Sequence, residues 1–161
     1  MPEVVNNQRK IQVKCDVYQN FANVLRAAVS EADRVTFTVA FVSDRKMKEL
    51  NTFFRGKKST TDVLSFPYQA DDFLSEPPVV TGGFLCDSNP PETSGGSDFL
   101  GDIVISVEQA QKQAAENGLD LEGEIKQLIL HGLLHLCGYD HEIDDGQMNA
   151  RELELRNKLG I

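Results

Sequence analysis

Three histidines occur in this chain of 161 residues, and all three lie in one stretch of eleven, HGLLHLCGYDH, residues 131–141. Imidazole carries protons near neutral pH and is the commonest side-chain metal ligand. His131 and His135 are four apart. On a helix that spacing stacks both side chains on one face, where two ring nitrogens reach a shared ion at about 2.0–2.1 Å. Gly138 can end such a helix and let the chain turn, bringing His141 toward the same ion. One histidine on an apolar helix is ordinarily a core residue. Three at metal spacing around a helix-breaking glycine, with none elsewhere, read as a metal site.

The full pattern, H-x-x-x-H-x-x-G-x-x-H, is the ligand spacing of the metzincin proteases, with Gly132 where their general-base glutamate stands. A glycine there either lets another element approach the helix or spares an anionic substrate a repelling carboxylate. Both weaken a peptidase reading. Three protein ligands leave one coordination position for water, as catalytic sites do. Cys137 sits about 200° round the helix from His135 and faces away. Asp140 is better suited to orient a ligand imidazole than to complete the shell. The chemistry implied is Lewis-acid and water-activating.

The formal net charge is −9, which taken alone argues against a polyanionic partner. The charge is unevenly spread. Residues 45–58, RKMKELNTFFRGKK, hold Arg45, Lys46, Lys48, Arg55, Lys57 and Lys58 against one acid, Glu49. Such a run is either a solvated helix face or a local patch that meets a polyanion. The cysteines, Cys15, Cys86 and Cys137, are odd in number, widely spaced and without a CxxC pair. They suit a reducing compartment rather than a disulfide framework. No apolar run approaches the ~20 residues of a membrane span, and MPEVVNNQRK resembles neither a secretory signal nor a transit helix. The expectation is a cytoplasmic protein without a membrane partner.

The length suggests a single domain over residues 1–161. KIQVKC reads as a strand with Ile11, Val13 and Cys15 on one face, and VYQNFANVLRAAVSEA as an amphipathic helix. RVTFTVAFVS is a strand with Val35, Phe37, Val39 and Phe41 aligned. Ser43 or Asp44 caps a helix whose apolar positions are Met47, Leu50 and Phe54. TDVLSF is a short strand ended by Pro67. Residues 69–98, rich in proline, glycine and serine, read as a long flexible insertion with one strand-like stretch, GGFLC. LGDIVIS is a strand buried on both faces. Ser106 and Gln109 form a capping box for a helix that ends near Gly118. The segment DLEGEIKQLILHGLLHLCG, apolar almost all round, is a helix at the centre of the domain. A last helix runs from Gly146 to Leu159, with Met148, Leu153, Leu155 and Leu159 as contacts. The expected fold is α/β (α+β): a mixed four-stranded sheet with a buried central metal-binding helix in a zincin-like ligand arrangement.

HGLLHLCGYDH also resembles the signature of the YbeY family of bacterial endoribonucleases and rRNA maturation factors. LNTFFRGKKSTTDVLSFPY, residues 50–68, is similar to that family's L-N-x-x-x-R-G-K/I-D-x-P-T-D-V-L-S-F-P-F segment. LGDIVIS, residues 100–106, is similar to its L-G-D-I/L-V-I strand, and the order of the blocks matches. Departures are Lys58 in place of an acid, Thr60 in place of proline, and the longer connection over 69–98. The resemblance implies one Zn2+ and action on single-stranded RNA in rRNA processing. It implies 16S rRNA 3′-end maturation and ribosome quality control, with the small ribosomal subunit and assembly factors as partners. By position, His131, His135 and His141 match the metal ligands, and Arg55 matches a functionally important arginine. On that reading the candidate catalytic residues are Arg55, His131 and Asp140. Arg55 clamps the phosphate, and Lys57 and Lys58 hold the RNA backbone. Asp140 is a candidate base, and the RNA 2′-hydroxyl an alternative nucleophile. Two other classes stay open: a non-catalytic assembly factor whose zinc stabilises the fold, and a metalloprotease.

Overall fold

A computed structural model of the chain describes residues 2–29, 35–67, 99–139 and 146–161. The 69–98 insertion, with its GGFLC stretch, lies outside the described residues, as do Asp140 and His141. The elements are β1 (Glu3–Asn6), α1 (Cys15–Ala28), β2 (Thr36–Val42), α2 (Asp44–Arg55) and β3 (Val63–Pro67). They continue with β4 (Phe99–Ser106), α3 (Val107–Asn117), α4 (Leu121–Leu136) and α5 (Gln147–Leu159). The sheet is four-stranded and mixed, in the order β1-β2-β4-β3, with β3 antiparallel to β4 and the other pairs parallel.

The two central strands set the layers, because both of their faces are apolar. Phe37, Val39, Phe41, Ile103 and Ile105 join one core, and Ala40, Val42 and Val104 a second, all with no exposed surface. The larger core lies under α1, α4 and α5; the smaller is closed by Met47 and Leu50 of α2. A strand alternates its side chains between faces, so a sheet buried on both sides needs apolar residues at every central position. The run Ile103–Val104–Ile105 meets that need. The helix starts follow the sequence as expected. Ser43 accepts from the Lys46 N–H at 3.2 Å and Ser106 from the Gln109 N–H at 3.4 Å, and α3 closes on Gly118.

Two expectations fail. Residues 10–15 are not a strand: the first strand is Glu3–Asn6, with Val4 and Val5 in register with Val39 and Ala40. The alternation of Ile11 and Val13 serves packing against the larger core instead. The Gln8 side chain turns this segment by donating to the Ile11 carbonyl at 2.6 Å and accepting from its N–H at 3.0 Å. In α5, Leu153 is 49% exposed, whereas Met148 and Leu155 are buried and Leu159 packs partly buried against the core. The third buried position of that helix is an acid, Glu152.

Asp102 stands on β4 opposite Thr38 on one side and Phe66 on the other. Burial pushes its carboxyl up to about 6. A carboxylate raised above its unfolded value of about 3.9 favours the fold while protonated, and that contribution is lost as pH rises through about 6. Asp102→Asn should therefore raise stability at pH 7–8 by roughly 1–3 kcal/mol. The gain should shrink toward zero as the pH falls to about 4, as read by denaturant melts across that range. A gain independent of pH would point to packing instead of charge.

Candidate metal centre

Asp120 starts α4 by accepting from the Gly123 N–H at 2.8 Å. The helix is then buried along most of its surface, through Ile125, Ile129, Leu130, Leu133 and Leu134, each with no exposed surface. A half-buried stripe carries Gln127, His131 and His135, each four residues after the last. On this stripe the two imidazoles meet edge to face, with ring centroids 4.7 Å apart. Their Nε2 atoms point at each other across 3.2 Å. Two nitrogens bound to one tetrahedral zinc at 2.0–2.1 Å would lie about 3.3 Å apart, so the pair fits a shared ion as it stands.

The other nitrogen of His131 is held from α5. Its Nδ1 lies 3.3 Å from Glu152 Oε2, and Glu152 Oε1 accepts from Arg156 Nη2 at 2.6 Å. Burial alone would raise the Glu152 carboxyl. The hydrogen bonds from His131 and Arg156, with the charge of Arg156, outweigh burial and hold it below the usual carboxylate range. Glu152 is thus a carboxylate behind an imidazole, an arrangement that fixes ring orientation and tautomer and presents Nε2 as the ligand atom. Sequence reading missed Glu152 and Arg156. The available signal was an acid spaced between Met148 and Leu155 on the inward face of an amphipathic helix.

A groove of about 520 Å³ opens beside His131, lined among others by Asp62, Gln127, Glu124, Glu152 and Arg156. Glu124 is buried, within 3.5 Å of the Asn117 amide. Burial raises its carboxyl, and the charge of Asp62 adds to that. Arg156 Nε is buried with no hydrogen-bond partner among the described residues. The floor of this groove is therefore acidic and only partly neutralised.

Gly132 is a packing requirement. A Cβ added there would lie 2.6 Å from Ile103 Cγ2 and 3.2 Å from Ser65 Oγ. Ser65 donates to the Gly132 carbonyl at 3.2 Å, tying β3 to the helix. A glutamate at this position, as in the metzincins, would have to push α4 off the sheet. One turn on, Gly101 serves the same approach: its φ is 144°, and a Cβ there would meet the Phe66 carbonyl and Leu136.

His131 and His135 are brought together as the spacing predicts; His141 and Asp140 lie outside the described residues. Among the described residues no group of three or more His, Cys, Asp or Glu side chains forms a metal cage. Arg55, Lys57 and Lys58 are exposed at the end of α2, which covers the sheet face opposite α4. They do not join the imidazoles. The chain from this turn does lead to the groove, because Asp62 and Val63 line it. No helix among the described residues is long and apolar enough to cross a membrane.

The profile of the family described as Endoribonuclease YbeY matches residues 3–160. The chain is 38% identical over 156 residues to Endoribonuclease YbeY of Syntrophomonas wolfei, covering 95% of this chain and 92% of that protein. It is 32% identical to the protein of the same name from Clostridioides difficile, covering 99% and 88%. Among solved structures it resembles the solution structure of TM1509 from Thermotoga maritima, with a TM-score of 0.57 and 26% identity, over 96% of this chain and 85% of that one.

The tight contact at Gly132 has a measurable consequence. Gly132→Ala should destabilise the protein by about 1–3 kcal/mol, although alanine favours an isolated helix by about 1 kcal/mol over glycine. In an Ile103→Ala background the loss should shrink, since the obstructing methyl is gone. Additive losses in the double variant would contradict this contact.

Proposed function

The chain belongs to the endoribonuclease YbeY family, and from that premise we propose that it is an endoribonuclease that cuts single-stranded RNA with one zinc ion held by His131, His135 and His141. The observation that carries the reading is the His131–His135 pair, its Nε2 atoms turned together at 3.2 Å with Glu152 behind the first ring. When bound, zinc would supply Lewis-acid polarisation of a phosphoryl oxygen or a water acidified toward neutral pH.

The chain's own residues do the rest. Glu152 and Arg156 hold His131 in one tautomer. Arg55, Lys57 and Lys58 take phosphates of the RNA backbone away from the cleavage point. Asp140 accepts the proton of the attacking group, whether that group is water or the RNA 2′-hydroxyl. The protein acts in the cytoplasm on rRNA, in 16S 3′-end maturation and ribosome quality control, with the small subunit and assembly factors as partners. The family match supports endoribonuclease action on RNA; the finer roles rest on the resemblance of the three sequence blocks.

Incubation of the zinc-loaded chain with a single-stranded RNA and with its duplex tests the activity. Cleavage of the single strand alone is expected, and a folded His131→Ala variant should be inactive. Intact RNA with the native protein, together with an unfolded His131→Ala variant, would favour a zinc-stabilised adapter. A 2′,3′-cyclic phosphate on the product would assign the attack to the RNA. Glu152→Gln should weaken zinc about 10–100-fold in chelator competition while helix content stays unchanged. Undiminished affinity would remove Glu152 from the site.

A further inference from the structure

The last turn of α2 carries two rings that the fold leaves outside. Phe53 is 56% exposed and Phe54 40%, whereas Met47 and Leu50 of the same helix are buried. The two rings stand edge to face with centroids 5.1 Å apart, and Phe54 continues to Phe66 of β3 at 4.8 Å. Three rings thus run from the helix end to the edge strand of the sheet. A contiguous exposed apolar cluster of this kind is a place to look for a binding partner.

The surroundings of the rings decide what binds. Arg55 ends the helix, and Gly56, at φ 67°, folds the chain back on it. The Gly56 N–H donates to the Thr52 carbonyl at 3.1 Å and the Lys57 N–H to the Asn51 carbonyl at 3.4 Å. This cap keeps Lys57 beside the turn that bears the rings, with Lys58 next to it in the chain. Arg55, Lys57 and Lys58 are exposed and make no ion pair among the described residues. Glu49, the sole acid of residues 45–58, already faces Arg45 and Lys46. An apolar protein partner would have to strip water from three unpaired cations. A single nucleic-acid strand supplies what the surface asks for: flat bases for the rings and phosphates for the cations.

We propose that Phe53 and Phe54 form a base-stacking platform for single-stranded RNA, with Arg55, Lys57 and Lys58 holding the adjoining phosphates. This rests on the endoribonuclease reading and adds to it the part of the protein that reads single-strandedness, since paired bases do not offer their faces. The platform lies on the sheet face opposite the histidines. A bound strand passes round the β3 edge, along the residues that lead to Asp62, to reach the groove beside His131.

The chain has no tryptophan, so Phe53→Trp installs a single reporter ring in the full-length protein. A single-stranded oligoribonucleotide should quench its emission; the same sequence as a duplex should not. Phe53→Ser should weaken single-strand affinity about ten-fold or more, with the salt dependence unchanged. Lys57→Gln should instead lower the slope of log affinity against log salt by about 0.7. Native affinity in Phe53→Ser, or unmoved emission in Phe53→Trp, would overturn the platform while leaving RNA cleavage standing. Phe53→Ser that melts earlier yet binds normally would show the rings packed by the chain itself, which also overturns it. A native protein that neither binds nor cuts the single strand would overturn the endoribonuclease reading as well.

Discussion

An imidazole taken out of water needs a partner for each ring nitrogen, and here that demand falls on one stripe of one helix. The helix Leu121–Leu136 is buried on nearly every other side. Its polar stripe of Gln127, His131 and His135 is half-buried. Polar groups at such depth cost free energy unless they find partners. His131 meets the demand at Nδ1 through Glu152, and its Nε2 is left facing that of His135. The rest of the architecture serves this arrangement. Gly132 lets the helix settle onto Ile103, Ser65 fixes the helix to the edge strand, and the Gln147–Leu159 helix brings Glu152 to the far side of the ring.

Charge is divided between the faces of the sheet. Beside the imidazoles the groove carries Asp62, Glu124 and Glu152 against Arg156. On the opposite face, one helical turn and its cap carry Arg55, Lys57 and Lys58. On a chain of net charge −9, most of the surface repels a polyanion, so attraction is confined and directional. A polyanion is drawn to one place and held off elsewhere. Nonspecific wrapping is disfavoured.

What the sequence made legible follows from how local each signal is. The i, i+4 spacing of His131 and His135 is set by helix geometry alone, and the structure keeps it. The continuous apolar run Ile103–Ile105 predicts a strand covered on both faces, since only that environment hides every side chain. Signals that depend on distant partners were harder. Alternation at Ile11 and Val13 looks like a strand, yet no strand among the described residues pairs with it, and Gln8 satisfies the Ile11 N–H and carbonyl. Val4 and Val5, with a weaker pattern, pair because β2 lies alongside. Gly132 admitted two readings until Ile103, remote in sequence, proved to touch it. Glu152 lies 21 positions from His131 in the chain, and only the packing of two helices shows its purpose.

The central claim is that the facing Nε2 atoms of His131 and His135 are the two helix-borne ligands of one catalytic ion. Anomalous diffraction at the zinc edge from crystals of the zinc-loaded protein tests it most directly. The expected result is one peak per chain, bonded to both Nε2 atoms at about 2.0–2.1 Å, with a third histidine nitrogen and a non-protein ligand completing a tetrahedron. An ion bound elsewhere, or two imidazoles hydrogen-bonded to each other in zinc-saturated crystals, would contradict it.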